Sequence, residues 1–210
     1  MRTEEEQAEI LREWWEKNGL RTVVLIILAV AAMLGWRQWQ GHQSNVAADA
    51  SSLYQMMVDA AEQGELMAPQ TEEAAWSLID AYPRTAYADH ARLLLAREAV
   101  LAGEFDEAVK LLEEVLKRPA NRPIEHTARL RLVRVMLEQG ELGAAMSHLD
   151  RSYPEPWQGQ ALELRGDVLL RQERHADARD AYARALELLG PGTNSRHRVE
   201  MKLNDLTPAS

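Results

Sequence analysis

The chain has 210 residues, a net charge of −9 and no cysteine. This excludes a disulfide framework, a thiolate zinc site and a cysteine nucleophile. Past Ser44 there are 27 acidic and 19 basic residues, a balance that argues against nucleic-acid binding, which needs a concentrated basic face. There is a single Phe, and Ala, Leu, Glu and Arg dominate after the first forty or so positions; these are helix formers, and the expected fold class is all-α.

The chain opens on an acidic tail, residues 1–19. Thr3 and Glu6 have the spacing of a capping box, and the pattern stays helical to Lys17, with Ala8, Leu11 and Trp15 on one face beside Ile10 and Trp14. Asn18-Gly19 reads as the end of that helix. Paired Trp residues at this place fit a helix lying at a membrane surface, or a docking site for a cytoplasmic or membrane partner.

Thr22–Trp36 is the one long run without a charge, closed by Arg21 and Arg37. Fifteen residues of helix cover about 22 Å, short of the ~30 Å hydrocarbon core of a bilayer. Leu20 extends the run, the arginine stems reach to the headgroups, and Trp36 and Trp39 stand where an interfacial aromatic belt lies. We therefore place a transmembrane signal-anchor at 20–39. A buried core helix would lack a partner of matching apolarity. A cleaved signal peptide would need a basic start, whereas Glu4, Glu5, Glu6, Glu9, Glu13 and Glu16 precede the run. Arg2, Arg12, Lys17 and Arg21 stand before it; after it comes Arg37, then no Lys or Arg until Arg84. The positive-inside bias places the N-terminus in the cytoplasm and the rest of the chain across the membrane, in the periplasm of a bacterium.

Residues 40–46 read as a short stalk or a continuation of the membrane helix. The domain that follows, 47–206, repeats itself. Gly103-Glu-Phe-Asp-Glu-Ala108 matches Gly140-Glu-Leu-Gly-Ala-Ala145 and then Glu173-Arg-His-Ala-Asp-Ala178, with Ala108, Ala145 and Ala178 spaced by 37 and 33 positions. A fainter copy places Ala74 34 positions before Ala108. The last copy is the fullest, with Leu162, Gly166, Ala178, Tyr182 and Ala185 in register. This period resembles the tetratricopeptide repeat, a helix–turn–helix of about 34 residues. We expect an α-solenoid of about four hairpins, near 47–81, 85–118, 123–152 and 157–189, closed by a capping helix at 195–206 and a tail at 207–210. Gly166 and Ala178 are expected where the paired helices approach closely. Leu112, Leu149 and Tyr182 should fill the gaps to neighbouring hairpins, and Val199, Met201, Leu203 and Leu206 should make the apolar face of the cap. The first hairpin and the copy at 123–152 fit the pattern poorly.

No residue pattern carries catalysis, a cofactor or a metal: there is no Gly-rich phosphate loop, G-x-S-x-G or H-E-x-x-H. His175 with Asp177, His197 with Glu200, Glu72-Glu73 and Glu113-Glu114 read as solvated helix surface, and His90 and His126 have no obvious partner. Stacked hairpins instead present a binding surface on their first helices, where Arg92, Arg129, Arg131 and Arg165 would form a positive stripe suited to an acidic or extended peptide. The competing reading pairs these arginines with Glu98, Glu125 and Glu163.

Glu13-Trp-Trp-Glu-Lys-Asn-Gly19, Gly35-Trp-Arg-Gln-Trp39, Ala50-Ser-Ser-Leu-Tyr-Gln55, Leu164-Arg-Gly-Asp167 and Met201-Lys-Leu-Asn-Asp-Leu206 together resemble the YfgM-like ancillary subunit of the SecYEG translocon of Gram-negative bacteria. The resemblance implies an inner-membrane protein with a periplasmic repeat domain. It also implies association with SecYEG and with the periplasmic isomerase and chaperone PpiD, and assistance to unfolded proteins leaving the channel. It carries no catalytic residues. Two other functions fit the same layout: a different envelope-assembly scaffold, or a regulator acting through the cytoplasmic tail.

Overall fold

The computed structural model describes residues 4–62 and 69–206. Among these there are nine α-helices and no strand. They are α1 (Glu4–Glu62), α2 (Pro69–Ala81), α3 (Ala86–Ala102), α4 (Phe105–Lys117), α5 (Arg122–Gln139), α6 (Leu142–Leu149), α7 (Glu155–Arg171), α8 (His175–Leu188) and α9 (Asn194–Asp205). The chain divides into two compact units, 1–49 and 50–210.

In the first unit, α1 does not stop at Asn18-Gly19, contrary to the sequence expectation. Asn18 turns its amide back to the Trp14 carbonyl (3.2 Å), and the Thr22 hydroxyl donates to the Asn18 carbonyl (3.0 Å). Both side chains thus fold onto the helix instead of ending it. Gly19 accommodates the indole of Trp15, which a Cβ would meet at 3.1 Å. Helix also covers 40–46, so the continuation reading of the stalk holds there. The expected capping role of Thr3, and the side chains of Ala8, Ile10 and Leu11, lie outside the described residues, as do positions 63–68 of the loop before α2. The stretch Trp14–Gln38 is long and apolar enough to cross a membrane. Leu25 is 66% and Met33 72% exposed, whereas a core helix buries such residues.

The hairpins of the second unit match the repeat register. Three helix starts are fixed by side-chain caps. Thr85 accepts from the Ala88 amide (3.2 Å) at the start of α3, Asn121 from the Ile124 amide (2.9 Å) before α5, and Thr193 from the Arg196 amide (3.2 Å) before α9. The three equivalent turns close in the same way, with Glu104, Glu141 and Arg174 amides donating to Ala99, Met136 and Leu169 carbonyls at 2.8–2.9 Å. The preceding residue is left-handed in each: Gly103 (φ 79°), Gly140 (φ 76°) and Glu173 (φ 63°). Only the third pays a Cβ penalty. Glu173→Gly should raise stability by about 1 kcal/mol, read as a higher denaturant midpoint with an unchanged m-value.

α3, α5 and α7 lie side by side as the inner layer, with α4, α6 and α8 behind them. Ala108, Ala145 and Ala178 are fully buried where the layers meet, as expected from the repeat. Leu112, Val115, Val133 and Val168 fill the interior between them; each such side chain contributes about 1.5–3 kcal/mol on burial. Tyr182 is fully buried. Its ring packs on Gly166 of its own hairpin, and its hydroxyl donates to Asp167 (2.7 Å). A small residue on α7 therefore makes room for a ring from α8.

The poor sequence fit of 123–152 has a structural reason. α6 has only 8 residues, and the gap behind it is closed by Tyr153 from the next loop, whose hydroxyl donates to the His148 carbonyl (3.0 Å). His126 lies between Tyr153 and Trp157, its ring centre 5.7 and 5.2 Å from theirs. Burial lowers the pKa of His126, an effect that outweighs the opposing influence of Glu125.

The cap also departs from the sequence reading. Val199 is buried and Leu203 and Leu206 pack beside it, but Met201 is half exposed. α9 is held as much by charge, through Arg196, Arg198 and Lys202.

Candidate functional site: a groove across the inner helices

The inner layer and α9 enclose an open recess of about 790 Å³. Its apolar lining comes from Ala96, Val100 and Leu101 of α3, Phe105 of α4, Val135 of α5 and Leu164 of α7. Leu101 stays 67% exposed. A second recess, about 330 Å³, adjoins it and is lined by Tyr54, Met57, Val58 and Leu94. Arg97 and Arg131 border both, so the two recesses are neighbours on one face.

Charge is divided in this groove. At the α9 end, Glu163 has only 3% of its side chain exposed. It accepts from Arg198 Nε (2.6 Å) and Nη2 (2.8 Å) and from Lys202 Nζ (2.9 Å). Lys202 also reaches both Asp167 oxygens at 2.7 and 2.8 Å. Burial pushes the Glu163 pKa up, but the Arg198 and Lys202 contacts outweigh it and hold the carboxyl below its ordinary value. The same bond raises the pKa of Arg198. At the α3–α5 end stand Arg97 and Arg131, and Arg134 lies between them and the α9 end, where Glu163, Asp167 and Arg198 act on its charge. Arg131 donates to the Leu93 carbonyl (3.1 Å), and no carboxylate bonds Arg97, Arg131 or Arg134 among the described residues. Burial lowers the Arg131 pKa, and the charges of Arg134 and Arg97 lower it further.

The arginines of the expected stripe separate. Arg131 is in the groove. Arg92 pairs with Asp89 (3.1 Å), Arg129 with Glu125, and Arg165 with Asp150 (2.6 Å) and the Leu149 carbonyl (3.0 Å). Three of the four are thus structural, as the competing reading held, but only Arg129 has one of the partners it named. Glu163 serves α9, and both Glu98 carboxylate oxygens are buried with no hydrogen-bond partner among the described residues. Sequence reasoning missed Arg97 and Arg134; Arg134 follows Arg131 by one turn of α5, a spacing the sequence carries, whereas Arg97 joins them only when α3 and α5 are laid side by side. The loose polar pairs do not converge. Asp177 takes Arg174 (2.7 Å), Glu200 takes Arg196 (2.9 Å), Glu114 takes Lys117, and the Trp76 indole N–H reaches Glu72 at 3.4 Å. No group of three potential metal ligands gathers among the described residues.

The family described as tetratricopeptide repeat-like domain matches residues 12–208. Three relatives, each an ancillary SecYEG translocon subunit, align along nearly the whole chain. The Escherichia coli K12 protein is 30% identical over 205 residues, 97% of this chain and 97% of that protein. The chain belongs to the ancillary SecYEG translocon subunit family, with a tetratricopeptide repeat-like domain. Within this family the Haemophilus influenzae protein is 29% identical over 203 residues, with 97% of each chain covered. The Neisseria gonorrhoeae protein is 30% identical over 206 residues, covering 96% of this chain and 97% of its own. Among solved structures, the MamA RS-1 ArsTM double mutant superposes with a TM-score of 0.59 at 16% identity, over 75% of this chain and 82% of that one. A tetratricopeptide repeat protein from Parabacteroides merdae gives 0.54 at 17% identity, over 75% and 57%. At these identities the structures establish the fold alone, and they place this ancillary-subunit family member among the helical-repeat proteins.

Proposed function

We propose that this protein is a non-enzymatic scaffold anchored by one span in the bacterial inner membrane. Its N-terminus lies in the cytoplasm and its repeat domain in the periplasm. There it acts as an ancillary subunit of the Sec translocon, beside the chaperone PpiD, and assists unfolded proteins as they emerge. The observation that carries this reading is the pairing of a lipid-compatible helix, Trp14–Gln38, with an open apolar groove on a helical-repeat domain. Tethering replaces a search in solution by a high effective concentration at the channel, so weak groove contacts suffice. The basic residues before the span, Arg2, Arg12, Lys17 and Arg21, support the orientation, and the names of the relatives support the partner.

The test has two arms in intact cells. A reporter enzyme that works only after export, fused behind Ser210, should be active. A chain lacking residues 1–40 should no longer copurify with SecYEG from solubilised membranes. A silent exported reporter removes the periplasmic role, and undiminished copurification of the shortened chain removes the anchor as the recruiting element.

A further inference from the structure

The charge pattern of the groove specifies what it takes. Of the carboxylates that line it, Glu163 and Asp167 are occupied by Arg198 and Lys202. The lining thus carries five cations, Arg97, Arg131, Arg134, Arg198 and Lys202, against three carboxylates, Glu138, Glu163 and Asp167; Glu163 and Asp167 also act on Arg134, which leaves Arg97 and Arg131 the least compensated. The guanidinium groups bordering the apolar recess repel one another, and such a cluster gains when an anion meets it. Burial in the recess lowers the pKa of Arg134, against the opposing pull of Glu163 and Asp167, so its charge stands in poorly hydrated surroundings. Around the cluster, Val100, Leu101, Phe105 and Val135 offer apolar contact on one side, and Tyr54, Met57 and Leu94 on the other.

We infer that the groove binds an extended polypeptide segment of a partner protein in which carboxylate side chains alternate with large apolar ones. The carboxylates meet Arg97, Arg131 and Arg134, and the apolar side chains enter the recesses on either side. This inference rests on the scaffold reading above and adds the chemistry of its ligand. An extended chain suits the site because the recesses are neighbours divided by the arginines, and alternating side chains of an extended segment can address the arginines and the recesses in turn. Arginine also receives carboxylates through a planar, two-donor fork. The anionic surface of a bilayer is a poorer occupant, because the net acidic domain is repelled by it.

The full chain in detergent micelles, titrated against a short fluorescein-labelled Leu/Glu peptide, should bind it measurably in low salt. A Leu/Gln peptide of the same length should bind at least about tenfold more weakly, a difference of the size that charge complementarity provides. The double variant Arg97→Glu/Arg134→Glu should lose the Leu/Glu peptide and gain a Leu/Lys peptide, a reversal that mere unfolding would not produce. Equal binding of the acidic and neutral peptides overturns the inference, as does an unchanged preference in the double variant. Loss of peptide binding on concentrating the chain also overturns it, by making a second copy the occupant. If the wild-type chain copurifies with SecYEG yet shows no acidic preference, only the ligand chemistry falls. If it binds the acidic peptide but never copurifies, only the translocon reading falls.

Discussion

Gly166→Ala is expected to destabilise the repeat domain by about 2–3 kcal/mol, read by denaturant unfolding. By helix propensity alone the change should help, by about 1 kcal/mol, since Ala is the better former in a helix interior. Packing reverses the sign. A Cβ at position 166 would sit 2.3 Å from Tyr182 Cε1 and 2.5 Å from Cδ1. The obstacle is a rigid ring, not the end of a flexible chain. Tyr182 has no exposed surface into which it can swing, and its hydroxyl is tied to Asp167. Burial, reinforced by the Asp167 bond, also pushes the Tyr182 pKa up, so the phenol stays neutral and keeps donating. The cycle with Tyr182→Leu separates clash from generic damage: the second substitution removes the ring, and Gly166→Ala should then cost less than about 1 kcal/mol. An unchanged cost in the Tyr182→Leu background would show that the ring is not what forbids a side chain.

The second large effect concerns the lock on α9. Arg198→Ala with Lys202→Ala leaves Glu163, almost wholly buried, without its cations. An uncompensated buried charge costs about 3–5 kcal/mol; Arg134 nearby should keep the loss near the lower end, about 3 kcal/mol. Glu163→Gln should cost less, about 1–2 kcal/mol, because Arg198 and Lys202 are 44% and 28% exposed and can turn to water. Hydrogen exchange across 194–205 should show α9 opening before the rest in both.

The pH dependence has a definite sign. In the wild type the folded carboxyl of Glu163 lies below its unfolded value. Its contribution is complete above about pH 4.5 and is lost as pH falls through the folded value. Without the two cations burial governs and the folded pKa rises above the unfolded one. The double variant should therefore become more stable, relative to wild type, as pH drops from neutral toward 5. A parallel pH profile in the two proteins would show that Glu163 is not the anchor of the cap.

Much of this architecture was legible because its signals are local. The uncharged run before Arg37 is continuous in the chain, and a turn residue followed five positions later by a buried Ala is contained within one hairpin. Gly103, Gly140, Ala108, Ala145 and Ala178 therefore announced their places, and the stacking of hairpins followed from a face none can bury alone. Even the poor copy at 123–152 was visible as a defect, although its remedy, Tyr153 sealing a short α6, was not.

The amino-acid order alone determined an apolar helix, a train of helical hairpins and the small residues at their contacts, since each depends on neighbours a few positions away. Only the tertiary structure decided which charges are engaged and which line the groove. Glu163 and Arg198 are 35 positions apart and Arg131 reaches the carbonyl of a residue 38 positions before it, so their partnerships are set by how inner helices lie against one another. Asn18-Gly19 is a different case, a local one: side chains returning to the helix's own carbonyls overrule a stop signal. Charges on a helix choose among several partners of similar energy, and packing makes that choice.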